Sequence, residues 1–201
     1  DELTFILDEV YLLPEKIQAF LDGNHPIDEI ARRHFDKPFF LYLAHTMPHI
    51  PLAASPEFRG KSKRGLYGDA VSEVDWSVGQ VMATLRELGL DKNTLVLFSS
   101  DNGGWLLRGE QGGLNTPMRG GKGGTYEGGM CVPCIAWQPG VVPADSTCDE
   151  LTAAMDLLPT FAKLVGVEPT KDRVLDGRDI TPLMFDPKAG PVRDTHPYFT
   201  A

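Results

Sequence analysis

Asp101 and Asn102 close an apolar run, Leu95-Val-Leu-Phe-Ser-Ser, and two glycines follow them. Both side chains offer hard oxygen atoms that suit Ca²⁺ or Mg²⁺. In open α/β sheets, ligands gather outside the carboxyl ends of the strands. A strand over 94–99 would deliver both residues to such a rim. A strand followed by an Asx turn accounts for Asp-Asn-Gly as well. His45 and His49 lie in His45-Thr-Met-Pro-His49-Ile-Pro51, directly after a second apolar run. Imidazole is the usual general acid or base near neutral pH; the alternative is a loop histidine bonded to backbone. Lys122 sits in Arg119-Gly-Gly-Lys122-Gly-Gly-Thr-Tyr-Glu127-Gly-Gly129. Glycines on both sides let a lysine and nearby backbone N–H groups approach an anion closely. Gly rather than Ser or Thr follows Lys122, so this is not a P-loop, and a flexible linker is the alternative. Cys131 and Cys134 have the spacing of a zinc or redox pair. No second pair exists and both sit in an apolar run, so they read as buried structural residues.

The elements that would position these groups follow from the pattern of apolar residues. Phe39-Phe-Leu-Tyr-Leu-Ala44 is a continuous apolar run, as in a strand buried on both faces of a parallel sheet. Residues 45–68 read as a loop. A helix is expected from about Asp69 to Leu88, with Val71, Val74, Val78, Val81, Met82, Leu85 and Leu88 on one face. Asp69 would cap its start and Gly89 its end. Strand, helix and strand over 39–99 make a βαβ unit with a right-handed crossover. Eleven of the 21 glycines fall between Gly103 and Gly129, and long irregular segments of this kind are usually functional. Cys131 to Trp137 reads as a strand, at an edge or bulge because of Pro133. Asp156 caps a helix to about Val165, with Pro159 in its first turn and Gly166 at its end. Residues 1–36 read as two short helical pieces around Gly23–Pro26, the second over 27–34. Residues 186–201 read as a tail.

The 201 residues are 42% hydrophobic and 23% charged, as in a globular domain. A net charge of −9 argues against nucleic acid as a partner, because phosphate binding needs a basic surface; a local basic pocket for a small anion stays compatible with it. No apolar run approaches the roughly 20 residues that span a bilayer. Three cysteines make a disulfide framework unlikely as a design and leave the compartment open. The chain opens Asp1-Glu2, without an initiator Met or a basic signal region, and so reads as a piece of something longer.

Taken in order, Lys37-Pro-Phe-Phe-Leu-Tyr-Leu-Ala, His-Thr-Met-Pro-His49-Ile-Pro, Gly65-Leu-Tyr-Gly-Asp-Ala, Ser100-Asp-Asn-Gly and Gly120-Gly-Lys-Gly-Gly-Thr-Tyr-Glu-Gly-Gly resemble the sulfatase family. The likeness is to the arylsulfatase A and galactosamine-6-sulfatase type. Met155-Asp-Leu-Leu-Pro-Thr160 and Leu175-Asp-Gly-Arg-Asp179 resemble its later segments. The match covers about residues 37–185, one partial domain. The resemblance implies an alkaline-phosphatase-like α/β fold, a mostly parallel sheet flanked by helices, and metal-dependent hydrolysis of sulfuric esters. It implies that Asp101 and Asn102 hold a divalent cation, Ca²⁺ or Mg²⁺. Lys122 would bind a sulfate oxygen, and His49 would contact the sulfate and protonate the leaving oxygen. His45 has no counterpart as clear and is left as a pocket residue. The substrate would be a small sulfate ester or a sulfated glycan, in a periplasmic, secreted or lysosomal setting.

Sulfatases use a formylglycine made from a Cys/Ser-x-Pro-x-Arg motif. Cys131-Val-Pro133-Cys134-Ile135 mimics its start but has Ile135 in place of arginine. The nucleophile and the family's early paired acids are therefore expected upstream of Asp1, and the fragment alone is expected to be inactive. A phosphatase or phosphonate hydrolase of the same superfamily, or an inactive truncated module, are the alternative readings.

Overall fold

A computed structural model of the chain describes residues 4–8, 38–168 and 171–196. Two compact units form, Asp1–Thr94 with Gly103–Met130 and Leu95–Asn102 with Cys131–Ala201. In the first unit, strand β1 (Thr4–Asp8) pairs in parallel with β2 (Phe39–Leu43), Thr4 opposite Phe39 and Asp8 opposite Leu43. The helical lead-in expected over residues 1–36 thus contains a strand at Thr4–Asp8, where the parallel ladder with β2 overrides a weak helical pattern. Its helix over 27–34 lies outside the described residues.

Helix α1 (Gly65–Glu87) follows β2. It ends as expected: Leu90 N–H donates to Leu85 at 2.8 Å and Gly89 N–H to Arg86 at 3.1 Å, the paired bonds of a Schellman cap. Its start differs. The helix begins four residues before Asp69, and Asp69 is buried rather than capping. Its carboxylate accepts backbone N–H groups from Gly60 (2.7 Å), Lys61 (3.1 Å) and Ser62 (2.7 Å). Three donors from one loop outweigh a helix terminus, so Asp69 ties the loop of residues 60–62 onto α1. These bonds, that from Ser62 foremost, hold its carboxyl below the usual carboxylate range. The buried stripe of α1 also differs from the apolar one. Ala70, Ser77, Thr84 and Leu85 are buried, whereas Val71 is exposed. The small residues recur every seven positions, one face of the helix. Phe58 packs its ring 5.9 Å from that of Trp76 on the same helix.

In the second unit, β3 (Val96–Ser99) pairs antiparallel with β4 (Cys134–Trp137), Val96 opposite Trp137 and Ser99 opposite Cys134. The order strand, helix, strand expected over 39–99 is present. Its strands find other partners: β2 bonds to β1 and β3 to β4. β3 and β4 form their own two-stranded antiparallel sheet, and Pro133, just outside β4, accords with an edge position. The run 39–44, expected to be buried on both faces, is half-exposed, with Tyr42 at 59%.

Helix α3 (Leu157–Leu164) closes on a second Schellman cap, Val167 N–H to Ala162 at 2.8 Å and Gly166 N–H to Lys163 at 3.2 Å. A single turn, α2 (Glu127–Met130), precedes β4, and α4 (Thr181–Phe185) follows α3. Asp156 stands at the N-cap position of α3, but its side chain does not cap it. The carboxylate is fully buried and accepts the N–H groups of Ala153 (2.8 Å) and Arg178 (2.7 Å), and it pairs with the buried Arg193. Thr160 donates to the Asp156 carbonyl at 2.6 Å and accepts the Ile180 N–H at 3.0 Å. The two later motifs are thereby sewn together, and Arg193, in the expected tail, is part of that core. A buried carboxylate needs such partners, since an uncompensated one is strongly destabilising.

Because folding depresses the Asp69 pKa, its contribution is complete above the unfolded value of about 4 and is lost as pH falls through the folded value. Stability should therefore drop on acidification below about pH 4. Asp69→Asn, though less stable at neutral pH, should show a shallower acid limb in thermal melts. An unchanged limb would remove Asp69 as a source of the acid dependence.

Candidate functional site

The glycine-rich segment of residues 103–130 is a folded piece pinned by one amide. Asn115 Oδ1 accepts the Gly104 N–H at 2.8 Å, and Asn115 Nδ2 donates to the carbonyls of Gly104 (3.1 Å) and Gly120 (3.0 Å). The Lys122 N–H adds a bond to the Gly104 carbonyl at 3.0 Å, and Gly103 N–H bonds to Gly129 at 3.0 Å. Backbone meets backbone with no room for a side chain. A Cβ on Gly103 would lie 1.9 Å from the Gly128 carbonyl oxygen, and one on Gly121 would lie 2.6 Å from that of Gly104. Only glycine permits such approach. The alternative reading of a flexible linker is therefore replaced by a tight double-backbone clasp.

The clasp presents Lys122 beside Trp105. Lys122 Nζ lies 5.5 Å from the indole centroid, and the His49 ring lies 6.1 Å from it at a tilt of 37°. His49 is exposed, and its Nδ1–H donates to the Ile50 carbonyl at 2.7 Å. That bond orients the imidazole and leaves Nε2 as the nitrogen available to a ligand. His49 and Lys122, 73 positions apart in the numbering, thus meet at one aromatic ring in the first unit. His45, two residues beyond β2, is half-buried, and burial pushes its imidazole pKa down; it favours the neutral form.

Asp101 and Asn102 belong to the second unit, where they follow β3 directly. Asp101 is exposed and Asn102 half-buried. The Ser100 hydroxyl donates to the Asn102 carbonyl at 3.0 Å, a local turn that engages the Asn102 backbone and not its side chain. A carboxylate and an amide oxygen side by side fit part of a Ca²⁺ or Mg²⁺ shell, which takes six or more oxygens. Among the described residues no group of three or more His, Cys, Asp or Glu side chains gathers to complete one.

Two expectations change here. Cys131 and Cys134 are exposed rather than buried, because β4 starts only at Cys134 and its first two residues face outward. Trp105, Arg108 and Asn115 were not singled out by sequence. Trp105 carries a signal in retrospect: it is a large aromatic directly after Asp-Asn-Gly-Gly, in a segment otherwise short of bulk. Asn115 carries none, since its role depends on the fold of two distant glycines.

The sulfatase family profile matches residues 16–167. Over 162 residues the chain is 48% identical to the steryl-sulfatase of Rattus norvegicus, which covers 78% of this chain and 28% of that protein. Over 161 residues it is 47% identical to the N-acetylgalactosamine-6-sulfatase of Rattus norvegicus, covering 79% and 31%. The chain thus spans under a third of the length of these curated relatives. Among solved structures it is similar to PsFucS1 sulfatase from Pseudoalteromonas sp. (TM-score 0.76, 33% identity, 84% of this chain and 34% of that one). It is also similar to Ps i-CgsB (TM-score 0.73, 37% identity, 80% and 37%). These neighbours have the alkaline-phosphatase-like fold, and the sheet-and-helix architecture described above is part of it. On the family profile, the sequence identities and the shared fold together, the chain belongs to the sulfatase family.

Proposed function

We propose that the protein containing these residues hydrolyses sulfuric esters, with Lys122 and His49 acting on the sulfate and Asp101 and Asn102 holding a divalent cation, Ca²⁺ or Mg²⁺. The observation that carries this reading is the meeting of Lys122 and His49 at Trp105. A compact ammonium beside an imidazole with a free Nε2 suits an anion whose ester oxygen must be protonated on departure. Lys122 is held at its backbone by Gly104 and its Nζ lies by the Trp105 ring, which fixes the point from which its side chain reaches the sulfate. His49, fixed through Nδ1–H, presents Nε2 to the leaving oxygen; it gives up a proton there as the imidazolium and returns to the neutral Nδ1–H form. A divalent cation, when bound, would supply Lewis-acid charge stabilisation. The formylglycine nucleophile of such enzymes is not encoded here, because no Cys/Ser-x-Pro-x-Arg occurs in the 201 residues.

The substrate class we assign is a sulfated glycan or a smaller sulfate ester. Support comes from the similarity to an N-acetylgalactosamine-6-sulfatase and to Ps i-CgsB, whose complex with a neocarrahexaose is known. We assign a periplasmic, secreted or lysosomal setting by the same likeness; among the described residues no helix is long and apolar enough to cross a membrane.

The 201-residue chain by itself should not turn over an aryl sulfate, for want of the nucleophile. Turnover that co-purifies with the chain and disappears in His49→Ala would contradict this. In a complete enzyme containing the segment, Lys122→Ala should lower kcat/KM by roughly 10² or more, the scale of losing one preorganised stabilising group. Lys122→Arg should not restore full activity, since a planar fork does not replace a compact ammonium. Thermal melts of both variants should stay near wild type. Activity of Lys122→Ala within twofold of wild type would remove the sulfate-binding role.

A further inference from the structure

Trp105 carries a second cation. The Arg108 guanidinium lies 4.3 Å from the indole centroid, and Arg108 N–H bonds to the Trp105 carbonyl at 3.0 Å. This single turn folds the arginine back over the ring. Lys122 approaches the same ring at 5.5 Å. The two charges therefore lie within about 10 Å of each other, the screening length at 0.1 M salt. Neither forms an ion pair among the described residues, and Arg108 is exposed. In a chain of net charge −9, carboxylates are plentiful, yet among the described residues none pairs with either cation. Like charges brought together without a partner repel one another, and a bound anion removes that cost. The guanidinium lies over the ring, and its N–H groups have no partner among the described residues, which leaves them for bidentate recognition of an oxyanion.

We propose that Arg108, stacked on Trp105, is a subsite for a second anionic group of the substrate, so that the site favours sulfate esters bearing a further sulfate or a carboxylate close to the reacting one. The proposal rests on the sulfate-binding reading of Lys122 and extends it: Lys122 takes the reacting sulfate, and Arg108 selects what else the ligand carries. Arg108 is a specificity residue here and takes no part in bond breaking. Its partner group must be reachable across one indole, as within one sugar or across one glycosidic linkage.

The test is binding by the 201-residue chain at about 0.1 M salt, followed by NMR titration with three probes: glucosamine 6-sulfate, glucosamine 2-N,6-O-disulfate, and a 6-sulfated hexosamine linked to a uronic acid. Wild type should bind the disulfate, the uronate conjugate or both roughly fivefold more tightly than the monosulfate, the scale of one exposed but geometrically fixed charge pair. The two doubly charged probes separate a sulfate-selective subsite from a carboxylate-selective one. Arg108→Gln should abolish the preference and leave monosulfate affinity within twofold. Lys122→Gln should weaken all three probes. The preference should also fade at 1 M salt, where screening falls to about 3 Å. Equal affinity of wild type for all probes, including no detectable binding of any, would overturn the proposal, as would a preference that survives Arg108→Gln. If instead Lys122→Gln bound the monosulfate as wild type does while Arg108→Gln lost the preference, the sulfate role of Lys122 would fail and the Arg108 subsite would stand.

Discussion

The carboxamide of Asn115 is the constraint on which the first unit's site depends. It bonds to both the N–H and the carbonyl of Gly104 and to the carbonyl of Gly120. Gly104 immediately precedes Trp105, and Gly120 stands two residues before Lys122. One side chain thereby fixes the indole and the lysine in a common frame, which the glycine contacts at 103–128 and 104–121 then tighten to near backbone contact. A lysine on a mobile glycine loop would lose much of its binding energy to ordering. Held this way, the base of the Lys122 side chain is already ordered, which lowers the ordering cost of the anion binding proposed for it.

Elsewhere the same economy recurs with carboxylates. Asp69 gathers three N–H groups from residues 60–62, and Asp156 gathers two N–H groups and the Arg193 guanidinium. Both stand in or beside the first turn of a helix, yet neither caps it in the ordinary sense. Each fastens a distant irregular segment to that helix, where donors would otherwise be buried without partners. The loops are long and contain much proline and glycine, so regular ladders account for few of their bonds. Backbone turns and side-chain acceptors supply the rest.

Much of this was legible in the residues. The runs at 39–44, 94–99 and 131–137 contain strands, and the helices at 65–87 and 157–164 end at Gly89 and Gly166 as their sequence requires. Periodicity and glycine position are local signals, and local signals survive folding. What failed was non-local. Thr4–Asp8 became a strand because β2 offers it a parallel ladder. Asp69 and Asp156 left their caps for backbone donors up to 22 positions away. Cys131 and Cys134 were exposed because the ladder of β4 begins at Cys134. At the candidate site, Lys122 and His49 were singled out by spacing and by resemblance, whereas Trp105, which joins them, was not. Its partners lie 56 and 17 positions away in the numbering, and no pattern in a single sequence reports such a meeting.

The central claim is that His49 and Lys122 share one anion at the Trp105 ring. The direct measurement is a titration of the chain with inorganic sulfate, followed by NMR at the Trp105 indole N–H and the His49 imidazole together. One ligand contacting both sides of the ring predicts that the two resonances shift with a single midpoint, and that Lys122→Gln moves both midpoints alike. Two different midpoints, or a His49 shift with the Trp105 resonance unmoved, would show that the two residues do not serve a common site.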